Sequence, residues 1–157
     1  MPDEIKEVVQ GEGYALANIE TLGDHYGFRK IRGPLGVTAF GINAVVVPPK
    51  WEGGRHFHDV QEETYFVHRG QIEMEFGDGS RHLLGPGGVA RVDAATIRKI
   101  SNVGEEDAVY VVAGGKDGYV GRDGRLPPGE ESRFGSAGPP GAQLRVVRFN
   151  LRARAEA

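Results

Sequence analysis

The 157-residue chain contains no cysteine, which excludes disulfides, thiolate zinc sites and cysteine nucleophiles. Any metal must therefore rest on histidine and carboxylate ligands. No window approaches the ~18 consecutive apolar residues of a membrane helix, so no membrane partner is expected. The chain has no basic excess: 19 Lys and Arg stand against 22 Asp and Glu, for a formal charge of −3 and a pI near 6.0. The basic residues are scattered, so no nucleic-acid partner is expected either. The start, Met1-Pro2-Asp3-Glu4, is acidic and is not followed by an apolar core, which reads as a cytoplasmic protein without a secretory signal. No serine lies in a nucleophile elbow and no phosphate-binding Gly/Lys loop is present, which leaves hydrolase and nucleotidase readings without support. There is no internal repeat and no stretch with convincing helical periodicity.

Glycine, by contrast, is abundant. Its 25 copies among 157 residues are more than double the usual share of ~7%, as expected of many short strands joined by tight turns. Residues 1–19 mix charge with small side chains and are left without an assigned element. Gly27–Ile31 and Val37–Val47 are β-branched or aromatic, and Pro48-Pro49 ends the second run. Glu63–Val67 reads as a further strand that Gly70 breaks. Ile72, Met74 and Phe76 then alternate with Glu73 and Glu75, as in a half-buried strand. Gly77-Asp78-Gly79 joins that strand to Arg81–Leu84 as a hairpin. After Gly85-Pro86-Gly87-Gly88, the short strands Val89–Val92, Ile97–Asn102 and Ala108–Ala113 continue the rhythm. Gly114–Gly141 is rich in Gly, Pro and charge and reads as one long loop, and Gln143–Leu151 turns strand-like again. The length suits one domain, with a barrel core at about residues 37–113.

The chemistry concentrates in Gly54-Arg55-His56-Phe57-His58-Asp59-Val60-Gln61-Glu62-Glu63-Thr64-Tyr65-Phe66-Val67-His68-Arg69-Gly70. On an extended strand His56 and His58 point to the same face, because side chains alternate. A short polar connection then brings Glu63 to the start of the next strand, where its carboxylate completes a two-His, one-carboxylate set. Such a set suits divalent Fe, Mn, Zn, Ni or Co. Tyr65 and Val67 share the face of Glu63 and line the same interior. Glu62, His25, His68 and His82 read as surface or hydrogen-bonded structural residues, and Trp51 as a cap on the barrel mouth or a packing residue between subunits.

These residues resemble the cupin superfamily. Its first motif runs Gly, five residues, His-x-His, three or four residues, Glu, six residues, Gly. His56, His58, Glu63 and Gly70 match it, while Lys50 stands at the leading Gly. Its second motif, Gly, five residues, Pro-x-Gly, two residues, His, three residues, Asn, falls on Gly87, Asp93, Ala95, Arg98 and Asn102. The spacing is kept, but Arg98 replaces the fourth metal ligand of the family. The resemblance implies an all-β double-stranded β-helix, or jelly-roll barrel, and a homodimer.

Arginine is permanently cationic and has no lone pair for a metal, so Arg98 is not a ligand. Three ligands leave open positions for substrate, and an inward Arg98 would orient a substrate carboxylate or phosphate. The catalytic candidates are thus Arg98 and Tyr65, and the metal candidates His56, His58 and Glu63. The function expected is a divalent-metal enzyme, oxygenase or isomerase, acting on a small anionic metabolite. Two alternatives stand beside it: a metal-free small-molecule-binding barrel in which Arg98 pairs with Glu63, and an epimerase-like acid–base enzyme.

Overall fold

The computed structural model describes residues 1–121 and 123–130. Strands in chain order are β1 (Val9–Gly11), β2 (Tyr14–Leu16), β3 (Gly27–Lys30), β4 (Gly41–Val47), β5 (Phe57–His58), β6 (Glu62–Arg69), β7 (Ile72–Phe76), β8 (Arg81–Leu84), β9 (Val89–Val92), β10 (Arg98–Ser101), β11 (Ala108–Gly115) and β12 (Gly124–Arg125). A five-stranded antiparallel sheet, ordered β3-β4-β11-β6-β9, forms one wall. The other is built from β10-β7-β8 and the β12-β5 pair, stitched together by isolated bridges Glu52–Ser101 and His56–Arg98. This is the all-β jelly roll expected of the sequence.

Alternation along each strand decides what lies between the walls. In β6, Glu63, Tyr65 and Val67 face inward and are buried while Glu62, Thr64, Phe66 and His68 face out. Val45 and Val47 of β4 and Tyr110 of β11 stand on the same face, opposite Ile72 and Met74 of β7 and Ile100 of β10. Phe28, Val92 and Trp51 complete this core, so Trp51 packs inside the barrel. The outer side of the second wall is ionic instead: Glu75 pairs with Arg55 and Arg81, and Lys99 with Glu52.

The turns explain two spacings of the sequence. Gly70 takes φ 71°, and a Cβ there would lie 2.4 Å from the Asp107 carbonyl oxygen, so the β6–β7 turn requires glycine. Lys50, at the leading glycine of the first motif, adopts the left-handed φ of 62° that a glycine would take more easily. Asn102 closes the β10–β11 connection, its amide donating to the carbonyls of Val47 and Glu106 and its oxygen accepting from the Gly104 amide.

Several expectations are corrected. Residues 9–16, to which the sequence assigned no element, form the β1–β2 hairpin. The strand expected from Val37 begins only at Gly41, because Arg32–Leu35 is a helical turn ended by Gly36 at φ 70°. The expected long loop is not wholly irregular: β11 runs to Gly115, and Gly124–Arg125 pairs back onto β5. The strand expected at Gln143–Leu151 lies outside the described residues. No helix among the described residues is long and apolar enough to cross a membrane.

Candidate metal centre

His56 and Arg98 are paired residues of antiparallel segments, exchanging backbone hydrogen bonds at 3.0 and 2.9 Å. Directly paired residues project to the same side of a sheet, so the pairing that brings His56 into the barrel brings Arg98 with it. His58 follows two residues later on the same face, its amide bonded to the Ala94 carbonyl at 2.8 Å. Glu63 approaches from the five-stranded wall. Its neighbour across β11 is Gly114, which adds no side chain to the interior; a Cβ there would sit 2.4 Å from Gln61 Oε1 and 3.2 Å from Glu63 Cγ.

His56, His58 and Glu63 are all buried, and one donor atom of each lies within 4.8 Å of the other two. The two imidazoles meet edge to face, with centroids 5.5 Å apart. Each turns Nδ1 outward to an acceptor: the Gly54 carbonyl at 3.4 Å for His56 and Asp123 Oδ1 at 2.9 Å for His58. Ring nitrogens held this way are what a metal-ligating histidine requires, since the partner fixes the tautomer and the ring direction. His58 Nε2 lies 2.9 Å from Glu63 Oε1. Two donors held ~2.1 Å from a common ion at right angles would be about 3.0 Å apart. The three residues therefore fit a divalent ion as a two-His, one-carboxylate set.

Arg98 is fully buried and points inward. Nη2 donates to Glu63 Oε1 at 3.0 Å, Nη1 to the carbonyls of Thr96 at 2.7 Å and Ala94 at 3.2 Å, and Nε to the Tyr65 hydroxyl at 3.4 Å. Among the described residues Nη2 makes that one bond, leaving one of its N–H groups for a ligand. The Tyr65 hydroxyl donates to the same Glu63 oxygen at 2.7 Å. Burial alone would raise the Glu63 carboxyl, but His58, then Arg98 and Tyr65, outweigh it and hold the group down at about 2. Burial and the adjacent Glu63 charge push the Tyr65 hydroxyl up, so it stays protonated as a donor.

Two residues of the site carried no signal in the motifs. Asp123 belongs to the segment expected to be loop, and its carboxylate takes His58 Nδ1, the backbone amides of Val60 (3.0 Å) and Gln61 (2.9 Å), and the Gln61 side-chain amide. Burial opposes its charge, and the Gln61 and Val60 donors with His58 more than offset that, lowering it to about 2. Gln61 is fully buried, and its Oε1 has no hydrogen-bond partner among the described residues. Alternation back from Glu63 would have found Gln61; nothing in the spacing points to Asp123, 65 residues from His58. His25 and His68 lie at the surface, and exposed His82 stands against the Phe76 ring.

Residues 43–114 match the model of the cupin domain, in line with the fold and the site just described. Solved structures extend the likeness over more of the chain. A cupin protein from Bacteroides fragilis is 18% identical, with a TM-score of 0.57 over 66% of this chain and 85% of that one. A cupin-superfamily sugar phosphate isomerase from Silicibacter pomeroyi is 22% identical, with a TM-score of 0.53 over 67% of this chain and 60% of that one. A DMSP lyase from Ruegeria pomeroyi is 21% identical, with a TM-score of 0.51 over 59% of this chain and 46% of that one, so this chain spans less than half of the lyase's length. At these identities the likeness is one of fold. No curated protein matches the sequence.

Proposed function

We propose that this cupin is a mononuclear divalent-metal enzyme, of isomerase or oxygenase type, acting on a small anionic metabolite, with His56, His58 and Glu63 as the metal ligands. The observation that carries the reading is the contact between His58 Nε2 and Glu63 Oε1. With Asp123 accepting from Nδ1, the His58 Nε2 atom and a carboxylate oxygen face each other 2.9 Å apart. Two acceptors at that distance repel unless a cation lies between them. A bound ion of Fe, Mn, Ni or Zn would supply a Lewis acid with open coordination positions, the setting for either reaction class.

Charge supports an anionic substrate. Glu63 and Asp123 contribute two negative charges to the buried site and Arg98 one positive; a divalent ion leaves the site positive, and a substrate carboxylate or phosphate would neutralise it. Arg98 offers that anion its remaining Nη2 N–H, and its bonds to Thr96, Ala94 and Glu63 fix the guanidinium before substrate arrives. Tyr65 serves beside it as a neutral donor that holds Glu63 in place. The sugar phosphate isomerase among the similar folds accords with a small anionic substrate.

A second reading keeps the barrel free of metal, either as a small-molecule binder or as an epimerase-like acid–base enzyme. The Arg98–Glu63 pair favours it, because a guanidinium 3.0 Å from a carboxylate already neutralises that group. The cation between His58 and Glu63 is then a proton. Elemental analysis of protein purified without chelator separates the two. The metal reading expects stoichiometric Fe, Mn, Ni or Zn that disappears in His56→Ala, while clean apo protein that still binds small anions would overturn it in favour of the second.

A further inference from the structure

Asp123 is the most heavily bonded acidic group near the centre, and neither motif contains it. It lies where the chain, having left β11, returns across the end of the barrel as β12. Four donors converge on it, and they divide by oxygen: Oδ2 takes the two backbone amides of Val60 and Gln61, and Oδ1 takes His58 Nδ1 and the Gln61 side chain. The backbone amides orient the carboxylate independently of His58. Resting on the metal reading above, we propose that Asp123 is a positioning residue for His58, keeping the ring proton on Nδ1 so that the Nε2 lone pair is aimed at the point His58 shares with His56 and Glu63.

An ionised carboxylate only accepts, so the imidazole nitrogen 2.9 Å from it must carry a proton. When an ion takes the other ring nitrogen, the one N–H stays on Nδ1 and the Nε2 lone pair serves as the ligand. Nε2 is buried and faces Glu63 Oε1 at 2.9 Å, within the group of donor atoms that His56 and Glu63 complete. Turning the ring over would set a C–H against Asp123 and forfeit that bond. The bland account of Asp123 is a tether that merely fastens the returning strand. The same strand has a separate tether in the Arg125–Asp59 ion pair, 2.7 Å long and half exposed, which does not touch His58. The two accounts can therefore be told apart by substitution.

Asp123→Asn is nearly isosteric, but it cannot satisfy both sides. The Val60 and Gln61 amides would hold its carbonyl oxygen at the Oδ2 position, turning its NH2 toward His58 Nδ1 and driving the ring proton to Nε2. The experiment uses the full chain, stripped of metal and labelled with 15N, with long-range 1H–15N spectra of the His58 ring and calorimetric titration with Zn2+ alone. The expected wild-type spectrum shows a protonated Nδ1. In Asp123→Asn the ring pattern should change and Zn2+ affinity should fall roughly 10–100-fold, while Asp59→Asn leaves both intact. An unprotonated Nδ1 in the wild type would overturn the proposal even if Asp123→Asn does not fold. So would Zn2+ affinity within about twofold of wild type in Asp123→Asn, or an equal loss in Asp59→Asn. If the wild type takes up no Zn2+, the metal reading fails, and the wild-type and Asp123→Asn ring spectra still decide whether Asp123 sets the tautomer.

Discussion

Glu63→Gln removes one negative charge from the barrel and changes almost nothing in its shape. In the apo protein it leaves the Arg98 guanidinium fully buried without a counter-ion, having lost the charge at 3.0 Å. Breaking a buried pair from one side costs roughly 3–5 kcal/mol, because the remaining charge stays desolvated. Arg98 keeps its bonds to the Thr96 and Ala94 carbonyls, which places the expected loss at the lower end, about 3 kcal/mol. For a domain of this size each kcal/mol lowers Tm by ~2–4 °C, so the fall should be about 6–12 °C. Arg98→Met then removes the stranded cation while keeping an apolar stem, and the double variant Glu63→Gln/Arg98→Met should recover much of that loss. Calorimetry and urea unfolding of all four proteins in excess chelator would give the coupling free of any bound metal. A loss below about 1 kcal/mol in Glu63→Gln, or a double variant in which the two losses simply add, would refute the claim that Glu63 and Arg98 stabilise each other inside the barrel.

Three further outcomes follow from the same structure. Gly70→Ala should cost roughly 2 kcal/mol or more in urea unfolding, because the new Cβ meets backbone at 2.4 Å from Asp107 O and 2.8 Å from Ala108 Cα at a φ of 71°; a variant as stable as wild type would contradict this packing of the β6–β7 turn. Ile72→Ala, at a fully buried position between the two walls, should cost about 2–5 kcal/mol in the same assay, and a loss under 1 kcal/mol would place Ile72 outside the core. Glu63 and Asp123 both have folded pKa values of about 2, below the ordinary range, so the stability they contribute is present above the ordinary carboxyl pKa of ~4 and is lost as pH falls through about 2. Apo-protein Tm should therefore drop between about pH 5 and pH 2, less steeply in Glu63→Gln, and equal slopes would contradict the assignment.

Much of the fold was legible because inward and outward residues alternate cleanly. Ile72, Met74 and Phe76 of β7, the Gly77-Asp78-Gly79 turn and β9 stand where the pattern places them. The convergence of His56 and His58 follows from the same alternation, and Glu63 follows from its register with Gly70. Where reading failed, local propensity was overridden by context. Val37–Phe40 carries β-forming residues, but the helical turn before it and the left-handed Gly36 delay the strand to Gly41. Arg98 could not be assigned to rim or interior from its type, because its direction depends on a backbone pairing with His56 that joins distant segments. Asp123 was hidden for a similar reason: half of its partners are backbone amides, which no side-chain pattern displays.

The central claim is that His56, His58 and Glu63 share one divalent ion. Anomalous diffraction from a crystal of protein purified without chelator, collected on both sides of the absorption edge of the metal found by elemental analysis, tests it most directly. The account predicts a single edge-dependent peak bonded to Nε2 of His58, a ring nitrogen of His56 and a Glu63 oxygen. Featureless anomalous maps at that point, with His58 Nε2 in direct hydrogen-bonded contact with the Glu63 carboxylate, would contradict it.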